Sequence, residues 1–100
     1  MLVVAGVIEI DPANRERAVP AALEMMDATA REPGCLSYTF SADLRDPGCF
    51  RIFEEWESPE ALAAHFATPH MKKFQQVVAG LGVRGMQVQR YEVSSVGPVR

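Results

Sequence analysis

A histidine set among apolar residues at helical spacing is the first place in this sequence where chemistry could reside. Ser58-Pro59 opens a helix, and His65 stands on its apolar face between Leu62 and Phe66, pointing to the space between helix and sheet. An imidazole gains and loses a proton near neutral pH, which suits it to the work of a base. The competing reading is a core histidine bonded to a carbonyl, as buried polar groups usually are. Tyr38 and Trp56 are aromatic strand residues. They either wall a pocket for a planar ring, with the phenol or indole N–H as a polar handle, or simply pack in the core. Phe40, Phe66, Met71 and Phe74 complete the same apolar volume in either case. Glu54 and Glu55 are neighbours on a strand, so one of them faces the helical layer or an interface. A buried carboxyl has a raised pKa and can carry a proton, but pairing of Glu54 with Arg51 or Arg90 is the expected arrangement. His65 and Tyr38 are thus the candidate catalytic residues. Trp56, Phe40, Phe66, Met71, Phe74 and Glu54 are the candidates for binding a substrate.

No metal site is expected. His65 and His70 are five residues apart, which on one helix places them about 140° from a shared face, and His70, following Pro69, is expected at the surface. No further histidine or closely spaced cysteine pair supplies ligands. Cys35 and Cys49 flank one hairpin, so a bridge between them is conceivable, but reduced thiols are the default without an export signal. There is no glycine-rich phosphate loop and no dinucleotide fingerprint.

The elements that must position these groups follow from periodicity. Leu2 to Ile10 is β-branched and apolar, a buried strand. Asp11-Pro12 opens a helix with Val19, Ala22, Leu23, Met26 and Ala30 on its apolar face, disturbed by Pro20 and ended by Glu32-Pro33-Gly34. Leu36 to Asp43 alternates, with Leu36, Tyr38, Phe40 and Ala42 on one side. Asp46-Pro47-Gly48 turns the chain into a second strand, Phe50 to Glu57. The helix after Ser58-Pro59 breaks at Thr68-Pro69 and restarts, with Met71, Phe74, Val78 and Leu81 at helical spacing. Met86 to Val93 is the last strand. The order βαββαβ gives an α+β, ferredoxin-like fold: a four-stranded antiparallel sheet with the helices on one face. The other face, carrying Phe53, Tyr91 and Val93 or their neighbours, should not stay bare, and a homodimer stacking sheet on sheet is the simplest cover.

A chain of 100 residues, 48% hydrophobic and 23% charged, reads as one domain with a core over residues 2–93 and a loose tail over 94–100. The net charge of −3 and the lack of a basic cluster argue against nucleic acid, and no apolar run is long enough to span a membrane. The apolar N-terminus lacks a basic leader region and reads as a strand, so a cytoplasmic location is expected.

Glu32-Pro33-Gly34-Cys35, then Tyr38, Glu55-Trp56, Ser58, Ala61, Leu62, His65 and Pro69-His70 together resemble the antibiotic biosynthesis monooxygenase family, over Val3 to Val93. The resemblance implies a dimeric α+β barrel binding a small molecule. Some members oxygenate quinols or anthrone-type polyketides without metal, flavin or haem; others degrade haem, isomerise a phosphorylated sugar, or have no known substrate. A deprotonated electron-rich phenol or anthrone can hand an electron directly to dioxygen, so the protein need only bind, deprotonate and shield it. By this likeness His65 is the base, Tyr38 a hydrogen-bond partner and Trp56 a pocket wall, and no cofactor is required. Haem-degrading members carry an asparagine, a tryptophan and a histidine where this chain has Gly6, His65 and Gln75, which sets the resemblance against haem degradation. Anthrone-type oxygenases also use a polar residue in the first strand, a role that Ala5 and Gly6 cannot fill. Two alternatives stay open. An isomerase of a sugar-like metabolite would place Arg51, Lys72 or Lys73 near the pocket, and a non-catalytic binding dimer would lose only affinity on His65→Ala.

Overall fold

Three of the four helical segments open on a polar side chain followed by proline. In the computed structural model, which describes residues 1–100, the side chain of Asp11 accepts from the Ala13 N–H (3.0 Å), that of Ser58 from Ala61 (3.2 Å) and that of Thr68 from Met71 (3.3 Å). Proline suits the next position because a first-turn N–H would have no partner. Asp11 opens only a 3-10 turn, Pro12–Asn14. The helices proper are α1 (Arg15–Thr29), α2 (Pro59–Phe66) and α3 (Pro69–Ala79), and the strands are β1 (Leu2–Ile10), β2 (Cys35–Ala42), β3 (Cys49–Trp56) and β4 (Val83–Glu92).

The strands form one antiparallel sheet in the order β2-β3-β1-β4. This is the ferredoxin-like α+β arrangement expected from the sequence, with the second helix split in two. In the register of β1 and β3, Leu2 opposes Trp56, Val4 opposes Glu54 and Ile8 opposes Phe50. These residues are buried or half-buried beneath the helices. Val3, Ala5 and Val7, opposite Glu55, Phe53 and Arg51, fall on the other face. That face has no helix on it, and Phe53 and Tyr91 are 46% and 49% exposed there. The main core joins Leu2, Val4, Met25, Tyr38, Ile52, Trp56 and Leu62, and a smaller cluster joins Ile10, Ala18, Phe50 and Leu81. No helix is long and apolar enough to cross a membrane.

Two local expectations need correction. The buried residues of α1 are Ala18, Met25 and Thr29, whereas Val19 and Leu23 are exposed at 37% and 54%. The buried face is turned towards Ala18 and Met25, while Met26 of the expected face still packs against the core at its edge. Leu36 is 52% exposed, because the register slips between Cys35 and Ser37. Alternation with Tyr38 therefore begins only after the bulge, and Cys35 packs inward instead. Pro20 lies inside α1 beyond its first turn, on the exposed side, which leaves the interior position of the two that the sequence allows. Cys35 and Cys49 are free thiols, and they sit at opposite ends of the β2–β3 hairpin.

Thr29 is fully buried and its hydroxyl has no hydrogen-bond partner. An unsatisfied buried hydroxyl costs on the order of 1–3 kcal/mol, and valine has nearly the same shape and a similar helix propensity. Thr29→Val is therefore expected to stabilise the protein by about 1 kcal/mol, a rise of roughly 4–8 °C in Tm for a domain of this size. Thermal unfolding followed by circular dichroism checks this. An unchanged or lower Tm would show that the hydroxyl is satisfied in solution.

Candidate active site

The joint between α2 and α3 places the histidines. The Thr68 side chain caps α3 and donates through its hydroxyl to the His65 carbonyl at 2.7 Å, tying the end of one helix to the start of the next. His65, on the buried side of α2, is 1% exposed. Its ring lies 4.9 Å from that of Trp56, 5.4 Å from that of Tyr38 and 5.5 Å from that of Phe66, centre to centre.

One carboxylate oxygen holds both histidines. Glu32 Oε2 lies 2.7 Å from His65 Nδ1 and 2.7 Å from His70 Nε2. An ionised carboxylate only accepts, so the hydrogen of a neutral His65 sits on Nδ1 and its Nε2 is left as an acceptor. That nitrogen has no hydrogen-bond partner in the protein. The expectation that His65 and His70 could not face a common point is thereby corrected. The chain breaks between Phe66 and Pro69, so the angle counted along one continuous helix does not apply. His70 is also half-buried, with its side chain 25% exposed.

His65 lines a half-open cavity of about 530 Å³ between the sheet and the α2–α3 pair. Tyr38, Phe40, Phe66, Met71, Phe74 and Glu54 line it too, as do Met86 and Val88 of β4. Its size suits a compact organic ligand. Apart from Tyr38, Glu54, His65 and Gln75, the walls are apolar. Trp56 is not on the wall. It is fully buried behind it, and its indole N–H donates to Glu54 Oε1 at 2.8 Å. The expected ion pair of Glu54 with Arg51 or Arg90 does not form. Arg51 reaches Asp43 instead, at 3.5 Å on the far side of the sheet, and it is Glu55 that faces away, accepting from the Ser37 hydroxyl. Lys72 and Lys73 are exposed and Lys73 pairs with Glu24, so none of the three cations suggested for an anionic substrate lines the cavity.

The cavity's electrostatics follow from burial. Desolvation pushes the Glu54 carboxyl up to about 7, against the opposing pull of the Trp56 N–H and with some help from the Glu32 charge. Tyr38 is raised far above the usual phenol range, first by burial and then by the charges of Glu54 and Glu32. It therefore stays protonated and acts as a hydrogen-bond donor. The cavity thus combines an imidazole acceptor, a phenol donor and a carboxyl poised near neutrality.

A carboxyl with a raised folded pKa stays protonated where the unfolded chain has already ionised, so stability falls as pH rises across that range. For Glu54 the range runs from 4.5 to about 7. The loss is nil below it, complete above it, and worth roughly 3 kcal/mol in total at about 1.4 kcal/mol per unit. The unfolding free energy of wild type relative to Glu54→Gln is expected to drop by that order as pH rises from about 4.5 to about 7.5. Urea titrations of both proteins at several pH values measure it, and a difference independent of pH would mean that the carboxyl is solvated.

The sequence marks Glu32 only as the end of a helix, and its place in the Glu-Pro-Gly-Cys stretch is the one signal that could have singled it out.

Known proteins share this architecture. A Deinococcus radiodurans protein, classed by the description of its 1.40 Å crystal structure with the antibiotic biosynthesis monooxygenases, superposes with a TM-score of 0.92 at 26% identity, over 100% of this chain and 99% of its own. The uncharacterized Synechocystis protein sll1783 is 30% identical over 93% of this chain, which spans 63% of that longer relative. Escherichia coli YgiN, described as a probable quinol monooxygenase, is 29% identical over 80% of this chain and 86% of its own length. Residues 1–77 match the model of the antibiotic biosynthesis monooxygenase family, and the chain belongs to that family.

Proposed function

We propose that the protein is a cofactor-independent monooxygenase of a small, electron-rich aromatic substrate of the quinol or anthrone type. The observation that carries this reading is the His65 imidazole, fixed through Nδ1 on Glu32 in the wall of a mostly apolar cavity. A base oriented in this way, with no cation near it, suits a neutral substrate that must lose a proton. His65 removes the proton, Tyr38 donates a hydrogen bond to the resulting oxyanion, and the apolar walls exclude water from the anion while it reduces dioxygen. The reaction balances without a further reductant. The substrate gives four electrons and two hydrogens, one oxygen atom enters the product, and the other leaves as water. Glu54, poised near 7, is the group that can return a proton to the departing oxygen. The likeness to YgiN supports the quinol class.

The protein acts in the cytoplasm as a homodimer that buries the uncovered sheet face. Phe53 and Tyr91, both large and about half exposed on that face, support the pairing.

The test is oxygen consumption by the purified, chelator-treated protein with hydroquinones, naphthoquinols and anthrones. Uptake well above the spontaneous rate is expected with at least one of these substrates. A folded protein that accelerates none of them would overturn the reading.

A further inference from the structure

Three ligand-type side chains converge at a point that the proposed reaction does not need them to share. Glu32 comes from the turn after α1, His65 from α2 and His70 from α3. Their donor atoms all lie within 4.8 Å of one another. The two imidazole nitrogens are each 2.7 Å from the same carboxylate oxygen, so both rings are turned to one atom. Two imidazoles and a carboxylate, with room for solvent in a remaining position, make the ligand set of an open zinc-type site.

We propose that Glu32, His65 and His70 bind a divalent transition-metal ion of the zinc class. Metal–nitrogen bonds are near 2.1 Å, which caps the separation of the two nitrogens at about 4.2 Å, so the two rings turn towards each other while Glu32 draws back to admit the ion. Rotation about the terminal bonds of the glutamate allows that shift. His70 gives the ion its way in, since its side chain is 25% exposed while those of His65 and Glu32 are 2% and 10%. Lys73, which lines the crevice beside His70, is held by Glu24 at 2.7 Å. The Thr68 bridge to the His65 carbonyl ties the end of α2 to the start of α3, the two helices that carry the imidazoles. Ligation through Nδ1 moves the hydrogen of His65 to Nε2. On the proposed oxygenase reading, the metal-bound form therefore has no base facing the cavity, and the ion acts as an inhibitor.

The experiment is calorimetric titration of tag-free, chelator-treated protein with zinc chloride, repeated with His70→Ala and Glu32→Gln. Visible absorption after cobalt(II) addition reports coordination independently. The expected result is one-to-one binding by wild type, weakened at least about 100-fold in His70→Ala, with d–d bands in wild type alone. Glu32→Gln keeps an acceptor for both rings, so weakened binding in that variant cannot be put down to misfolding. No saturable uptake up to about 1 mM zinc, or binding that both variants retain in full, overturns the proposal. No substrate enters these measurements, so their failure is distinct from failure in the oxygen-uptake assay.

Discussion

Replacing His65 by alanine is expected to lower oxygen uptake with an accepted quinol or anthrone by about 10²–10⁴-fold, the usual contribution of a positioned general base. At about 1.4 kcal/mol per factor of ten, this corresponds to roughly 3–5 kcal/mol in the barrier. The loss should fall on kcat and on kcat/KM alike, since the proton is removed only on the way to the transition state. Alanine also takes one hydrogen-bond donor from the buried Glu32 carboxylate, so His65→Gln is the sharper variant. Its amide can still donate to Glu32 but cannot act as a base. Equal losses in the two variants, from proteins with unchanged circular dichroism, would place the effect on the proton step. Uptake that survives in His65→Gln would mean that the imidazole only fills space.

The second large effect is on stability. Gly6, in the middle of β1, faces β4 so closely that a methyl group added there would collide with the Gln87 carbonyl oxygen and come within 2.5 Å of the Val88 Cα. Backbone cannot yield as a flexible side chain does, so β4 would have to move away from β1. Gly6→Ala is expected to destabilise the protein by more than about 3 kcal/mol, in the range of the severe overpacking mutations. Chemical denaturation measures it. A change below about 0.5 kcal/mol, the scale of ordinary surface substitutions, would show that β4 is free to shift. The same close approach explains why this chain carries no polar side chain at that point of the first strand.

The strands and helix starts were legible because their signals are local. Tyr38 and Phe40 alternate with Thr39 and Ser41, and Ser58-Pro59 and Thr68-Pro69 announce their helices within two residues. The face of α1 was not legible. Its apolar stripe is wide enough that Val19 and Leu23 serve as well as Ala18 and Met25 by hydropathy, and the choice depends on how closely the helix can approach its neighbours. The site was legible in part. His65, Tyr38 and Glu54 follow from periodicity, whereas the meeting of Glu32, His65 and His70 depends on the direction α3 takes after the break. Glu54 turned inward as alternation allows, but its partner is Trp56, two residues along the same face, and sequence spacing alone favoured a charge over an indole.

The outer wall of the cavity is also an edge strand of the sheet. β4 has β1 as its sole neighbour, and no helix packs more than marginally upon it. Yet its Met86 and Val88 line the cavity. Detachment of that one strand is therefore a sub-global opening, with a free energy below that of unfolding the whole chain. The amide hydrogens pairing β4 with β1 should exchange ahead of those between β1 and β3. A ligand seated against Met86 and Val88 is expected to slow that exchange.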